Sequence, residues 1–551
     1  MNSSTEAKPQ TKARGGGHAV LVAAGIFLSR ISGLVREKVF AHFLGNSDAA
    51  GVFKAAFRIP NILQNLFGEG VLSASFIPVY AKLLSEHDEE TAGRLAGAVA
   101  SVLALCVAVI VVIGVTFTPA VLWFIAPGFE GEVRELAIVT VRILFPAMGV
   151  LVLSAWCLGI LNSHRKFFLS YVAPVFMNIV MIGTLFLFSG RGDRSLVVAA
   201  AWGTVVGAIV QFGVQVPFVL RHERNLRLAI DMMFTPLRDV IRNFMPVVVG
   251  RGVVQLSAYL DNLIATLLGT AAVAALSYAQ IIYTLPVSLF GVSVSAAELP
   301  EMARARGTDE EIGAALRARL QRGLRQIAFF VIPSAVAFVA IGNVLVAALY
   351  QGGRFGKADT IYVWYILIGS TVGLVAATFG RLYSSAFYAL RDTKTPLRFA
   401  VVRVIITGVL GYLLAIPLRP LFVRAIVATG IPLPPIPGGD IPFGAVALTA
   451  TAGVAGWIEF LLLRRALGKR IGKVPTSAMH TLKLWICALI AGVVGVVFHR
   501  MLLPRIPLPH ILPYIRDGVL VAGVFGVTYF AAAAAMRIDE VHGVLRRFIK
   551  R

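Results

Sequence analysis

Charged residues recur where this chain is otherwise apolar, and arginine dominates them. Arg30, Arg36 and Glu37 fall in the apolar stretch 19–43, and Arg58 and Glu69 in 52–84. Arg142 lies in 136–161, Arg251 and Asp261 in 240–268, Arg381 in 360–390 and Arg403 in 398–418. A charge in lipid costs at least a few kcal/mol, so each must face a cavity or a partner. Arginine suits one chemistry there: its planar fork pairs phosphate oxygens two at a time and stays charged. Arg30 and Glu37 are one heptad apart and project from nearly the same side of a helix. Gly25, Ser29 and Gly33 form a small-residue stripe along it that admits close helix contact. Arg251, Gln255 and Asn262 fall within about 40° of one another on a helical wheel, a polar stripe on an apolar helix. The cation excess of the N-terminal half points to an anionic ligand. Ion pairs that lock helices are the structural alternative, and they fit Arg142, Arg381 and Arg403 better.

Bond-making chemistry has no comparable constellation. The chain contains no GxxxxGK[ST] loop, no HExxH pair and no CxxC spacing. Cys106, Cys157 and Cys487 each sit inside an apolar run, as small core residues do. The 28 acidic residues are scattered, mostly in loops, rather than clustered to hold Mg²⁺.

The elements that must position these charges follow from composition. Of 551 residues, 58% are hydrophobic and 14% charged, against about 25% charged in soluble domains. Mean hydropathy is +0.81. That excludes a soluble enzyme, a secreted disulfide scaffold and a disordered chain, and leaves an all-α polytopic membrane protein. The net charge of +23 belongs in cytoplasmic loops rather than on nucleic acid.

Roughly 20 apolar residues cross a bilayer. Fourteen stretches meet that length: 19–43, 52–84, 95–118, 136–161, 168–189, 196–220, 240–268, 273–300, 325–350, 360–390, 398–418, 441–463, 481–503 and 513–536. Basic segments at 221–242, 304–325, 391–398 and 464–483 alternate with segments poor in Lys and Arg, such as 269–272 and 431–440. This alternation places both termini in the cytoplasm and requires an even number of spans. The N-terminus reads as an uncleaved first span behind a disordered tail.

The expected organisation is a tail at 1–18, an N-terminal lobe at 19–220, a cytoplasmic linker at 221–243 and a C-terminal lobe at 244–463. Two further spans follow within 464–536, and a basic tail at 537–551. Segment 221–242 alternates Leu226, Ile230, Met233, Phe234, Leu237 and Ile241 with arginines. It reads equally as an amphipathic helix at the lipid boundary or as a solvated loop. The tail with Val541, Val544, Leu545 and Phe548 carries the same two readings. Phe67-Gly68-Glu69-Gly70-Val71 before Pro78 and Phe290-Gly291-Val292-Ser293-Val294 before Pro300 form a weak repeat. Repeated interrupted helices are how transporters build a central site.

The stretch Ser29-Arg30-Ile31-Ser32-Gly33-Leu34-Val35-Arg36-Glu37 resembles the first helix of the MurJ (MviN) lipid II flippases. Asp48, Phe57-Arg58-Ile59-Pro60-Asn61 and Phe67-Gly68-Glu69-Gly70 continue the likeness in the family's order and spacing. So do Ala126-Pro127-Gly128-Phe129, Ile160-Leu161-Asn162-Ser163, Ala173-Pro174 with Asn178, and Arg391-Asp392-Thr393-Lys394-Thr395-Pro396. The resemblance implies two pseudo-symmetric six-helix lobes plus two C-terminal helices. It implies a cationic cavity for the pyrophosphate head group of lipid II and a groove for its polyprenyl tail.

Arg30 and Arg36 match functional arginines of the family, and Asp48, Asn61 and Glu69 match further sensitive positions. The chain also departs from the family: Gln64 stands where relatives carry an arginine, and Gln280-Ile281 where they carry an acid–arginine pair. Arg58 and Arg251, the latter beside Gln255, are the candidates to compensate. Asp261 matches an acidic position used for sodium in some members, but the polar partners expected around Gly411 to Ala415 are not evident.

The function expected is a lipid II flippase of a bacterial cytoplasmic membrane, not an enzyme. It would carry the undecaprenyl-pyrophosphate-linked precursor to the outer leaflet by alternating access. With no cofactor, its drive would be the membrane potential, a monovalent cation or consumption of the product outside. Its partners would be lipid II, membrane lipids and the cell-wall synthesis machinery. The alternatives are an oligosaccharide-lipid flippase or multidrug exporter of the same superfamily, or a membrane enzyme acting on polyprenyl phosphates.

Overall fold

The computed structural model describes residues 15–428, 441–475, 477–506, 512–541 and 543, and these are helical with short connections. In chain order the first helices are α1 (Gly15–Leu44), α2 (Asp48–Phe67), α3 (Glu69–Ser85), α4 (Glu89–Thr116) and α5 (Thr118–Ile125). Next come α6 (Gly131–Ser163), α7 (Phe167–Leu187), α8 (Asp193–His222), α9 (Thr235–Leu267) and α10 (Thr270–Pro286). A π-helical turn, Val287–Val292, joins α10 to α11 (Ser293–Ala303). The chain continues with α12 (Asp309–Ala340), α13 (Gly342–Tyr350), α14 (Lys357–Ala389), α15 (Lys394–Ala415) and α16 (Arg419–Ala428). It closes with α17 (Ile441–Ile471), α18 (Ala478–Val497) and α19 (Pro513–Ala535).

Among the described residues, 12 helical segments are long and apolar enough to cross a membrane. Two further expected spans, 19–43 and 240–268, fall on α1 and α9, the helices that carry charged candidate-site residues. The architecture is thus an all-α multi-pass membrane fold consistent with fourteen crossings. Its surface is inverted relative to a soluble protein. Leu187 and Val527 stand 82% and 73% exposed, while Gln211 and Gln215 are buried. Lipid has no polar partner to offer, so polar groups turn inward.

The chain divides into two compact units. The first comprises residues 1–40, 56–121 and 136–252; the second comprises 41–55, 122–135 and 253–551. In the first, α3, α4, α6 and α8 enclose a core containing Phe76, Leu95, Val99, Trp156 and Ile160. The Trp156 indole donates to the Ala96 carbonyl at 3.1 Å. Ser154 donates to Gln215 at 2.7 Å and accepts from Gln211 at 3.0 Å, clamping α6 to α8 through buried polar groups. In the second unit, α14 and α17 cross where Gly373 meets Gly453: a Cβ built on Gly373 would stand 2.5 Å from the Gly453 Cα. Small residues let these backbones approach.

One open reading is narrowed and one expectation needs correction. Residues 223–234 are not a surface helix; α8 ends at His222 and α9 begins at Thr235. The linker backbone instead lies on the start of α4, where a Cβ on Gly97 would collide with the Arg227 carbonyl. Arg94 pairs with Asp231 at 2.6 Å and covers the Phe234 ring at 4.6 Å. At the linker's start, buried Glu223 meets Tyr80, and His164 stands 2.9 Å from the Tyr80 hydroxyl and 3.1 Å from Glu223. The stretch 325–350 is also not one helix, because α12 stops at Ile341 and α13 starts afresh. The basic tail beyond Val541 lies outside the described residues except for Gly543.

The sequence repeat has a structural counterpart. α2 breaks from α3 at Gly68, whose φ of −93° and ψ of −144° leave the helical region. In the second unit, the matching Phe290-Gly291 sits inside the π-helical turn. Such turns mark places where the regular hydrogen-bond ladder slips.

A cationic candidate binding site

The small-residue stripe of α1 faces α7. A Cβ on Gly25 would stand 3.0 Å from Tyr171 Cβ, and one on Gly33 would stand 3.9 Å from Asn178 Nδ2. That seating delivers Arg36 to Asn178. Arg36 Nη1 donates to Asn178 Oδ1 at 3.0 Å, and Asn178 Nδ2 donates to Ser32 Oγ at 2.8 Å. Ser32 in turn donates to the Ser29 carbonyl at 2.9 Å. Arg36 Nη2 pairs with Glu37 Oε1 at 2.8 Å, with Glu37 buried and the Arg36 side chain 20% exposed. The partner that Glu37 takes on α1 is therefore its neighbour Arg36 rather than Arg30, one heptad away. Arg30 is exposed.

Farther along the same unit, Asn61 is exposed and accepts from Asn65 at 2.8 Å. Arg58 is half-buried. The break at Gly68 ends this helix, and a side chain would not fit there because a Cβ would collide with the Gln64 carbonyl. The side chain of Glu69, at the start of α3, lies outside the described residues, as do those of Arg251 and Gln255 in α9. Arg142 is exposed on α6.

The remaining candidates belong to the second unit. Asp48 opens α2 and accepts from the Thr270 hydroxyl, at the first residue of α10. Around the same α9–α10 turn, a Cβ on Gly51 would collide with the Thr270 carbonyl and one on Gly128 with the Thr266 carbonyl. Tyr278 donates to the Gly45 carbonyl at 2.8 Å, and the Arg354 amide donates to the His42 carbonyl at 2.8 Å. The Asp48 and Ala126-Pro127-Gly128-Phe129 motifs thus build one clasp.

Asp261 is half-buried and Asn262 buried. Gly411, in the region expected to offer cation ligands, meets Leu448 and Ile264 side chains instead. Arg403 pairs with Glu459 at 3.1 Å, and Arg381 is exposed. Gln280 donates to Thr284 at 3.1 Å, and its neighbour Ile281 is half-buried. Between α12, α14, α17 and α18 lies an apolar cavity of ≈ 660 Å³, with Val336, Trp457, Trp485 and Leu489 among its walls.

Sequence reasoning singled out Asn178 only as a motif residue and missed Thr270. The signal for Asn178 was the stripe on α1, which announces close contact without naming the partner helix. Chemically, the first unit offers a fixed guanidinium, a nearby exposed arginine on the same helix and amide groups. These are hydrogen-bond donors of the kind that anions accept from.

The model of the family described as lipid II flippase MurJ matches residues 40–511. The lipid II flippase MurJ of Burkholderia cenocepacia is 30% identical over 460 residues, covering 82% of this chain and 84% of that protein. The probable lipid II flippase MurJ of Rhizobium tropici is 32% identical over 406 residues, 72% of this chain and 74% of its own. Among solved structures, lipid II flippase MurJ in an inward closed conformation aligns with TM-score 0.73 at 22% identity, over 95% of this chain and 100% of that one. An inward-facing multidrug resistance MATE transporter of the MOP superfamily aligns with TM-score 0.58 at 20% identity, over 82% of this chain and 99% of its own. These last two likenesses concern the fold. With the family match spanning most of its length, this chain belongs to the MurJ lipid II flippase family.

Proposed function

We propose that this chain moves lipid II from the cytoplasmic to the outer leaflet of a bacterial cytoplasmic membrane by alternating access. The observation that carries the reading is the Arg36 guanidinium, held by Asn178 and Glu37 within a membrane helix that also presents exposed Arg30. A fixed fork suits a pyrophosphate, because its geometry is set before the ligand arrives and little is lost on binding. Arg58, Asn61, Glu69, Arg251 and Gln255 complete the proposed head-group site, and the apolar cavity beside α18 suits a polyprenyl chain. Asp48 serves the same cycle as part of the clasp on the α9–α10 turn.

The lobes are taken as 19–220 and 244–463, with both termini in the cytoplasm. Transport draws on the membrane potential or a monovalent cation, with Asp261 as the candidate cation ligand. The cell-wall synthesis machinery consumes the product outside.

Complementation of a flippase-depleted bacterium tests the function, with lipid II exposure on the outer face as readout. Failure to restore either growth or exposure at normal expression would reject it. Cysteine labelling in intact cells tests the topology: Gly438→Cys should label from outside and Arg306→Cys should not.

A further inference from the structure

A groove of ≈ 670 Å³ runs along α7 and α8, within the size range of ligand clefts, and nothing in the transport site uses it. Its floor forms where the two helices approach: a Cβ on Gly203 would stand 2.6 Å from Thr184 Oγ1. The walls are apolar, with Val198, Trp202 and Val206 among them, and one end carries Arg191 and Arg194. Trp202 is 56% and Val206 48% exposed, so the groove opens on the lipid-facing surface.

Arg191 sits in the α7–α8 turn and Arg194 in the first turn of α8, at the opposite end of α8 from the basic linker. Basic segments elsewhere already set the topology, so these two cations are not needed for that purpose. Arg191 rests 5.0 Å from the Phe188 ring, a cation–π seat that holds it at the rim. With Asp193 counted, the turn keeps one net positive charge above an apolar slot.

We propose that this groove binds an anionic phospholipid, its phosphate between Arg191 and Arg194 and one acyl chain along Val198, Trp202 and Val206. Charge complementarity selects the head group, and the medium that bathes this face selects a lipid as the occupant. Trp202 lies eight residues beyond Arg194, about 12 Å along the helix, which sets its indole beside the upper part of the chain.

That position supplies the test. The full-length protein is reconstituted in phosphatidylcholine vesicles containing a small fraction of phosphatidylglycerol or phosphatidylcholine brominated near the carbonyl end. Quenching of Trp202 is read as the difference from Trp202→Phe. The expected result is a roughly fivefold preference for the anionic quencher, the factor one juxtamembrane cation confers. Arg191→Gln with Arg194→Gln should abolish the preference. Arg191→Lys with Arg194→Lys keeps the charge and should retain it, which guards against a folding defect in the first pair. Equal quenching by the two lipids in the parent, a preference that survives the glutamine pair, or its loss in the lysine pair would each overturn the proposal. None of these outcomes bears on lipid II transport, which is measured separately.

Discussion

Arg36 and Arg403 are both arginines in apolar helices, yet they are held in different ways. Arg403 meets Glu459 at 3.1 Å, with the two side chains 30% and 15% exposed, so charge answers charge. Arg36 meets Glu37 on one nitrogen and the neutral amide of Asn178 on another, while its Nε is buried with no partner among the described residues. An amide orients a guanidinium without neutralising it. A carboxylate does both. Both arginines meet a carboxylate, but that of Arg36 is its own chain neighbour and its contact across helices is a neutral amide, whereas the ion pair of Arg403 itself joins two helices.

The clasp around Thr270 is a third arrangement, in which Asp48 is satisfied by a hydroxyl and the neighbouring glycines allow backbone contact.

The largest effect expected is on transport. On the proposed function, Arg30→Ala with Arg36→Ala should remove two charge-assisted phosphate contacts of about 1.5–3 kcal/mol each, about a hundredfold loss of lipid II affinity or more. A well-expressed double variant that still supports growth would move these arginines into the structural class. Next, Gly51→Val forces a side chain into the Thr270 carbonyl, with overpacking costs of about 1–3 kcal/mol or more. The melting temperature in detergent should fall clearly, and an unchanged melt would mean the clasp opens freely.

Asn178→Ala keeps the Arg36 charge but removes its neutral anchor. A lost internal hydrogen bond to a charged group should cost about 1.5 kcal/mol of stability, and lipid II binding should weaken because the fork is no longer held before the ligand arrives. Equal binding would show that Glu37 alone positions the fork. The smallest effect belongs to the second arginine. Arg403→Gln should cost about 1 kcal/mol of stability because the pair is partly exposed, and Glu459→Gln added to it should recover much of that loss. Lipid II binding should stay at the parent level in both. A transport defect without a stability change would erase the distinction from Arg36.

Much of the fold was legible because hydropathy and helix breaks are local properties. The break at Gly68 and the turn at Gly291 stand where matching Phe-Gly motifs occur, since a glycine affects the helix that contains it. The linker stays open between two readings in the sequence for the opposite reason. Its own residues carry an amphipathic pattern, but Gly93 and Gly97, more than a hundred residues earlier, offer its backbone a surface on which no helix is needed. Arg30 and Arg36 were legible as cations in a membrane span, while their difference was not.

The sequence by itself determined the membrane environment, the placing of the apolar helices and the identity of the charges that lipid would expel. Those follow from transfer free energies summed along the chain, which depend on neighbours in sequence. Only the tertiary structure decided which group answers each charge. Arg36 finds Asn178 across 142 positions and Asp48 finds Thr270 across 222. Such pairings arise when helices pack, because a polar atom in a low-dielectric interior must take whichever partner the packing brings within about 3 Å.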